Sequence, residues 1–192
     1  MGSLPVMDAE ALLDEFAVRL GGYLAGQGFE ADEWTFRRFS EHRDALIVEF
    51  QQAKLWTDDE ARFFVNVFLL LNPTWEHLQA ETGRLLTRIG PVSPYEDSWR
   101  IVNEATMTHV LDAVVTQLDE VLPGLVGLLD RTELDSRLEE IFGGGAWRMR
   151  AWILAENGPS AELESLFAEQ VRANPGVGEI ADVIRGYAAT KA

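Results

Sequence analysis

Residues 62–71 read Arg-Phe-Phe-Val-Asn-Val-Phe-Leu-Leu-Leu. Aromatic and β-branched residues at this density suit a pleated strand. Side chains alternate across a strand, so Phe63, Val65, Val67 and Leu69 share one face and Phe64, Asn66, Phe68 and Leu70 the other. Both faces are mostly apolar, which predicts a central strand covered on both sides. The run is also far short of the ~20 apolar residues that span a bilayer.

The neighbouring segments extend this reading. Residues 46–52 form a more one-sided strand, with Leu46, Val48 and Phe50 opposing Ile47, Glu49 and Gln51. Residues 34–39 form another. Polar connections at 40–44 and 56–60 separate the three, as in an antiparallel meander. Asn72-Pro73-Thr74-Trp75 breaks the pattern. Residues 85–89 supply a fourth strand, stopped by Gly90-Pro91, and 99–102 are extended after a proline-containing loop over 92–100.

Helices flank this sheet. Leu12, Leu13, Phe16, Leu20, Tyr23 and Leu24 recur at helical spacing within 8–27, with Asp8 as N-cap and glycines at the end. From Glu104 a second stripe runs through Met107, Val110, Val114 and Leu118 to Leu122, where Pro123-Gly124 is expected to break or kink it. Thr132 is expected to cap the next helix, which runs to Phe142. Three glycines at 143–145 form a hinge. Helices follow over 146–156, 160–173 and 179–189. Helix, then strands, then helices means α+β. We expect an N-terminal helix, a three- to four-stranded antiparallel sheet and a C-terminal run of helices. The domain division expected is an α+β domain over 8–142 and a helical extension over 146–190 packed on it.

Composition limits the chemistry. The 192 residues include no cysteine, so disulfides, thiolate zinc sites and cysteine nucleophiles are excluded. The hydrophobic share of 47%, with 6 Trp and 10 Phe, is enough for a packed core. There are 32 acidic residues against 16 basic ones, a net charge of −16, and the only lysines are Lys54 and Lys191. Such a charge disfavours nucleic acid and anionic membranes and suits a basic protein partner. The excess is greatest in the first third: residues 1–60 hold 13 acids and 5 bases. Residues 1–5 lack the basic and apolar regions of a signal peptide, so a cytoplasmic location is expected. The oligomeric state, monomer or homodimer, is left open.

Motifs for chemistry are missing. The glycines at 143–145 do not follow a strand, and no phosphate-loop string occurs. His42, His77 and His109 are scattered without metal-ligand spacing, and there is no serine-hydrolase elbow. No catalytic residue, metal or cofactor is expected. The most suggestive polar set is in the sheet, where Arg37, Glu49, Gln51, Lys54 and Asn66 interrupt apolar strands. Buried polar groups need partners. These five either pair with one another or line a ligand groove.

Several short strings resemble a known family. They are Gly28-Phe29, Trp34-Thr35-Phe36-Arg37-Arg38, Val48-Glu49-Phe50-Gln51-Gln52-Ala53-Lys54 and Arg62-Phe63-Phe64-Val65-Asn66-Val67. Arg88-Ile89-Gly90, Trp99 and Leu122-Pro123-Gly124-Leu125 follow. Over about residues 10–130 the chain resembles the bacterial domain-of-unknown-function family numbered 4304. That resemblance implies the fold of this segment and brings no activity with it. Three functional classes remain. The chain is expected to be a non-catalytic, immunity- or antitoxin-like binding module. The alternatives are a ligand-binding protein or enzyme using the sheet face, and an oligomerising module using the C-terminal helices.

Overall fold

The structure is a computed structural model that describes residues 8–53, 57, 59–78, 83–92 and 96–192. In chain order the elements are α1 (Ala9–Gly26), β1 (Glu30–Asp32), β2 (Thr35–Phe39), β3 (Ala45–Gln52), β4 (Ala61–Leu70), α2 (Asn72–Leu78), β5 (Arg84–Ile89), β6 (Trp99–Ile101), α3 (Glu104–Val126), α4 (Arg131–Phe142), α5 (Ala146–Ala155), α6 (Ala161–Ala173) and α7 (Gly178–Ala189). The fold is α+β, as the sequence predicts. Two compact units divide it: one from the described residues of Met1–Leu70 and Gly83–Leu129, the other from those of Leu71–Thr82 and Asp130–Ala192.

The first unit is an antiparallel sheet ordered β1-β2-β3-β4-β5, with β6 also on β4. Six strands form where three to four are expected. β1 is new, and β6 occupies the segment read as extended. β4 is central: β3 takes one edge, and β5 and β6 divide the other between residues 65–69 and 61–63. Phe63, Val65, Val67 and Leu69 are fully or almost fully buried. Phe16 of α1 meets the rings of Phe50 and Phe63 at 5.4 and 5.1 Å, so α1 packs on this face. α3 adds Met107, Val114, Leu118 and Leu122 to the core, and Tyr23 of α1 donates to Asp119 of α3 at 2.8 Å.

Local chemistry sets the ends of α1. Asp8 accepts from the Ala11 amide at 2.8 Å. At the other end Gly28 has φ +81°. Its amide donates to the Ala25 carbonyl at 3.0 Å and the Phe29 amide to that of Leu24 at 3.1 Å. This paired closure needs a left-handed residue, which glycine adopts at no steric cost, and it turns Phe29 into the core. Gly21 serves close approach: a Cβ there would lie 3.0 Å from the Phe36 ring.

Two expectations about helix ends are corrected. α3 continues through Pro123 to Val126. The proline costs one helical hydrogen bond, but only one further turn depends on it. The N-cap of α4 is Asp130, not Thr132: its carboxylate accepts from the Thr132 and Glu133 amides at 2.8 and 3.0 Å. A carboxylate there also meets the positive end of the helix dipole.

The second unit is helical and takes α2 together with α4–α7. Residues 72–75, read as a sheet breaker, open α2. Trp152, Ala155, Leu163, Phe167, Ile184 and Tyr187 form its core. The three-glycine hinge is a single 3-10 turn between α4 and α5.

Candidate functional site

The sheet register decides where the predicted polar residues go. Thr35 pairs with Glu49, Glu49 with Asn66, and Asn66 with Arg88. These four therefore form one row on the face away from α1. Within it the Asn66 amide donates to Gln51 Oε1 at 3.1 Å. Arg88 Nε donates to Asn66 Oδ1 at 2.9 Å, and the Arg88 guanidinium lies 4.2 Å from the Phe64 ring centre. Asn66, only 2% exposed, is thus satisfied on both sides of its amide. Arg37 donates to Asp32 at 2.9 Å across the β1–β2 pair. Glu49 is half-buried in the same row. Lys54 lies outside the described residues, as do parts of the 56–60 and 92–100 connections. The sequence reading missed Arg88, the member that completes the Gln51–Asn66 chain, because strand register alone makes it their neighbour.

Two clefts are described, both in the first unit, and neither is lined by Arg37, Glu49, Gln51 or Asn66. The smaller, about 440 Å³, lies beside β6 and the start of α3 and includes Trp99, Arg100, Thr106 and His109. Its groups are already engaged in part: Arg100 holds Glu60 at 2.7 Å, and the Thr106 hydroxyl accepts from the Val102 and Asn103 amides. The Arg100 pair keeps the Glu60 carboxyl below the usual range, with Arg62 adding to the effect.

The larger cleft, about 690 Å³, runs between α1 and the β1–β2 hairpin. Its floor is apolar: Ala17 and Phe36 are buried, Gly21 is half-buried, and Val18 is 71% exposed. Glu10, Asp14 and Glu33 line it with carboxylates, all exposed. Among the described residues no lysine or arginine lines it. Glu10 and Asp14 are one helical turn apart on α1, which places them on the same face. Trp34 Nε1 donates to Asp14 Oδ1 at 2.9 Å and fixes the indole against the helix. Glu33 sits in the two-residue turn between β1 and β2 with φ +52°. That conformation favours glycine or asparagine and costs a glutamate about 1 kcal/mol or more.

These carboxylates differ from many others in the chain. Among the described residues Glu10, Asp14 and Glu33 form no ion pair. Arg19, the one base among the seven acids of residues 8–33, is committed to Glu15 at 2.7 Å and Glu104 at 3.4 Å. No group of three or more described His, Asp or Glu residues is arranged to hold a metal ion. No helix among the described residues is long and apolar enough to cross a membrane.

The first unit defines the class: an α+β domain in which an antiparallel meander carries α1 and α3 on one face. The family model described as "Domain of unknown function (DUF4304)" matches residues 20–127, more than half of the chain, and the chain belongs to that family. The match ends two residues before the last residue of the first unit, so α4–α7 lie beyond it. It includes the hairpin side of the larger cleft, while Glu10, Asp14, Ala17 and Val18 precede it. No curated protein and no solved structure matches the chain.

Proposed function

We propose that this protein is a non-catalytic binding module, immunity- or antitoxin-like in kind, that masks a basic surface on a partner protein in the cytoplasm. The observation that carries this reading is the uncompensated acid of the first unit. Seven acids and one base occur over residues 8–33, and three of those acids line an apolar cleft with no lysine or arginine among its described lining residues. An uncompensated charge next to an apolar floor suits a partner of opposite sign. Long-range attraction raises the association rate, and the apolar contact supplies the energy that keeps the complex together. The polar row on the other sheet face supports a binding role over catalysis, because Gln51, Asn66 and Arg88 use their hydrogen-bonding groups on one another.

The test is a pull-down from the native host with the full chain as bait, followed by measurement of the purified pair. The expected partner is basic, and its affinity falls steadily as salt rises from 50 to 500 mM. Recovery of no partner, or of one whose affinity ignores salt, would sink the proposal.

A further inference from the structure

We infer that the cleft between α1 and the β1–β2 hairpin seats an arginine side chain of the partner together with an apolar neighbour of that arginine. The inference rests on the binding-module reading and specifies the group that is recognised.

Exposed carboxylates alone would be an ordinary solvated rim. Three features make this cleft more than that. Val18, which lines the cleft, leaves most of its surface in water, so covering it gains hydrophobic energy on association. The volume of about 690 Å³ falls within the range of sites that enclose a ligand, and it exceeds what one side chain fills. Among the described residues the rim carboxylates form no ion pair, so an incoming cation displaces none of those described.

The choice of arginine over lysine follows from the groups present. A guanidinium is planar, is less strongly hydrated than an ammonium, and can bond a carboxylate through two N–H groups while lying against an aromatic ring. The cleft is lined by the carboxylates of Glu10, Asp14 and Glu33 and by the aromatic residue Trp34, whose indole is bonded to Asp14. Asp14 Oδ1 already accepts from that indole, which leaves Oδ2 to receive a donor. Phosphates, nucleic acids and anionic lipids carry the wrong sign for this rim.

The experiment uses the full chain and a fluorescein-labelled peptide alternating leucine and arginine, with lysine and citrulline versions of the same peptide. Affinity is read by fluorescence polarisation, and position by amide and indole NMR shifts. The arginine peptide is expected to bind most tightly, the lysine version more weakly and the uncharged citrulline version at least tenfold more weakly. The largest shifts should fall on the Trp34 indole, Val18 and Gly21. The triple variant Glu10→Gln, Asp14→Asn, Glu33→Gln should lose at least tenfold in affinity. A second triple, Glu139→Gln, Glu162→Gln, Glu169→Gln, makes the same change in net charge on exposed helix positions and should bind as the parent does. Equal losses in the two triples would reduce the interaction to non-specific attraction and overturn the seat, as would shifts confined to other surfaces or no peptide binding at all. The native partner separates the two levels of the claim. If it binds with the expected salt dependence but ignores the cleft triple, the seat is wrong and the binding-module reading stands.

Discussion

Several acids of the helical unit and the acids of the first unit's larger cleft are placed differently. In the helical unit, Glu156 is held by Arg131 at 2.9 Å, Asp135 by Arg150, Glu140 by Arg137, and Glu164 and Asp182 by Arg185. Glu76 accepts from both Tyr187 and Lys191. In these places an acid is part of the structure. In the cleft of the first unit, Glu10, Asp14 and Glu33 form no ion pair among the described residues, and Asp14 accepts from the Trp34 indole. Net charge therefore does not distinguish a carboxylate that holds helices together from one that faces a ligand; the placement of the arginines does.

The comparison can be broken by mutation. The largest effect should come from Arg131→Ala, which removes the guanidinium paired with Glu156; the two side chains are only 13% and 20% exposed. A loss of about 2–3 kcal/mol is expected in urea unfolding, and an unchanged midpoint would show that the pair contributes nothing. Next, Asp130→Ala removes the acceptor for two α4 amides and should cost about 1 kcal/mol by the same measurement. Glu33→Gly should act with the opposite sign. It relieves the left-handed strain and should stabilise the protein by about 0.5 kcal/mol, while peptide affinity falls. A drop in stability would mean that Glu33 is a structural residue.

A pH titration addresses the paired acid directly. Hydrogen bonds from Lys191 and then Tyr187 hold the Glu76 carboxyl below its usual value of 4.5. Its contribution is complete above the unfolded value and is lost as pH falls through the lower, folded one. Glu76 and Lys191 are about one-third exposed, so the effect should be only a few tenths of a kcal/mol. It should vanish in Glu76→Gln, and a Glu76→Gln protein that keeps the same acid dependence would rule the pair out. Smallest of all, the cleft triple should change stability by less than about 0.5 kcal/mol, because its side chains are exposed and form no ion pair among the described residues, and Asp14→Asn keeps an oxygen that can accept from Trp34. A larger loss would make the cleft acids structural and erase the contrast.

Much of the fold was legible because it rests on local rules. The two-faced apolar run at 62–71 marked the central strand, the spacing from Leu12 to Leu24 marked α1, and the Gly26-Gln27-Gly28 stretch marked where it stops. Shorter elements were not legible. β1 is three exposed residues whose pairing partner makes it a strand, and α2 opens at a proline read as a breaker. Asp130 escaped notice as a cap because Thr132 stood closer to the next apolar residue. At the sites, the sequence singled out Glu49, Gln51 and Asn66 as polar interruptions but could not supply Arg88. It flagged the acidic first third without picking out Glu10, Asp14, Glu33 and Trp34.

The sequence by itself determined the class of fold, the exclusion of cysteine chemistry and the acidic net charge of the chain. Each depends on composition or on the period of apolar residues along a segment. The tertiary structure decided which acids are paired and which line a cleft. That outcome depends on distances between residues far apart in the chain, such as Asp14 and Trp34 at 2.9 Å or Glu76 and Lys191 at 2.6 Å. Hydrogen bonds and direct ion pairs need contact within a few ångströms, so the same 32 acids and 16 bases could be arranged to leave a different set unpaired.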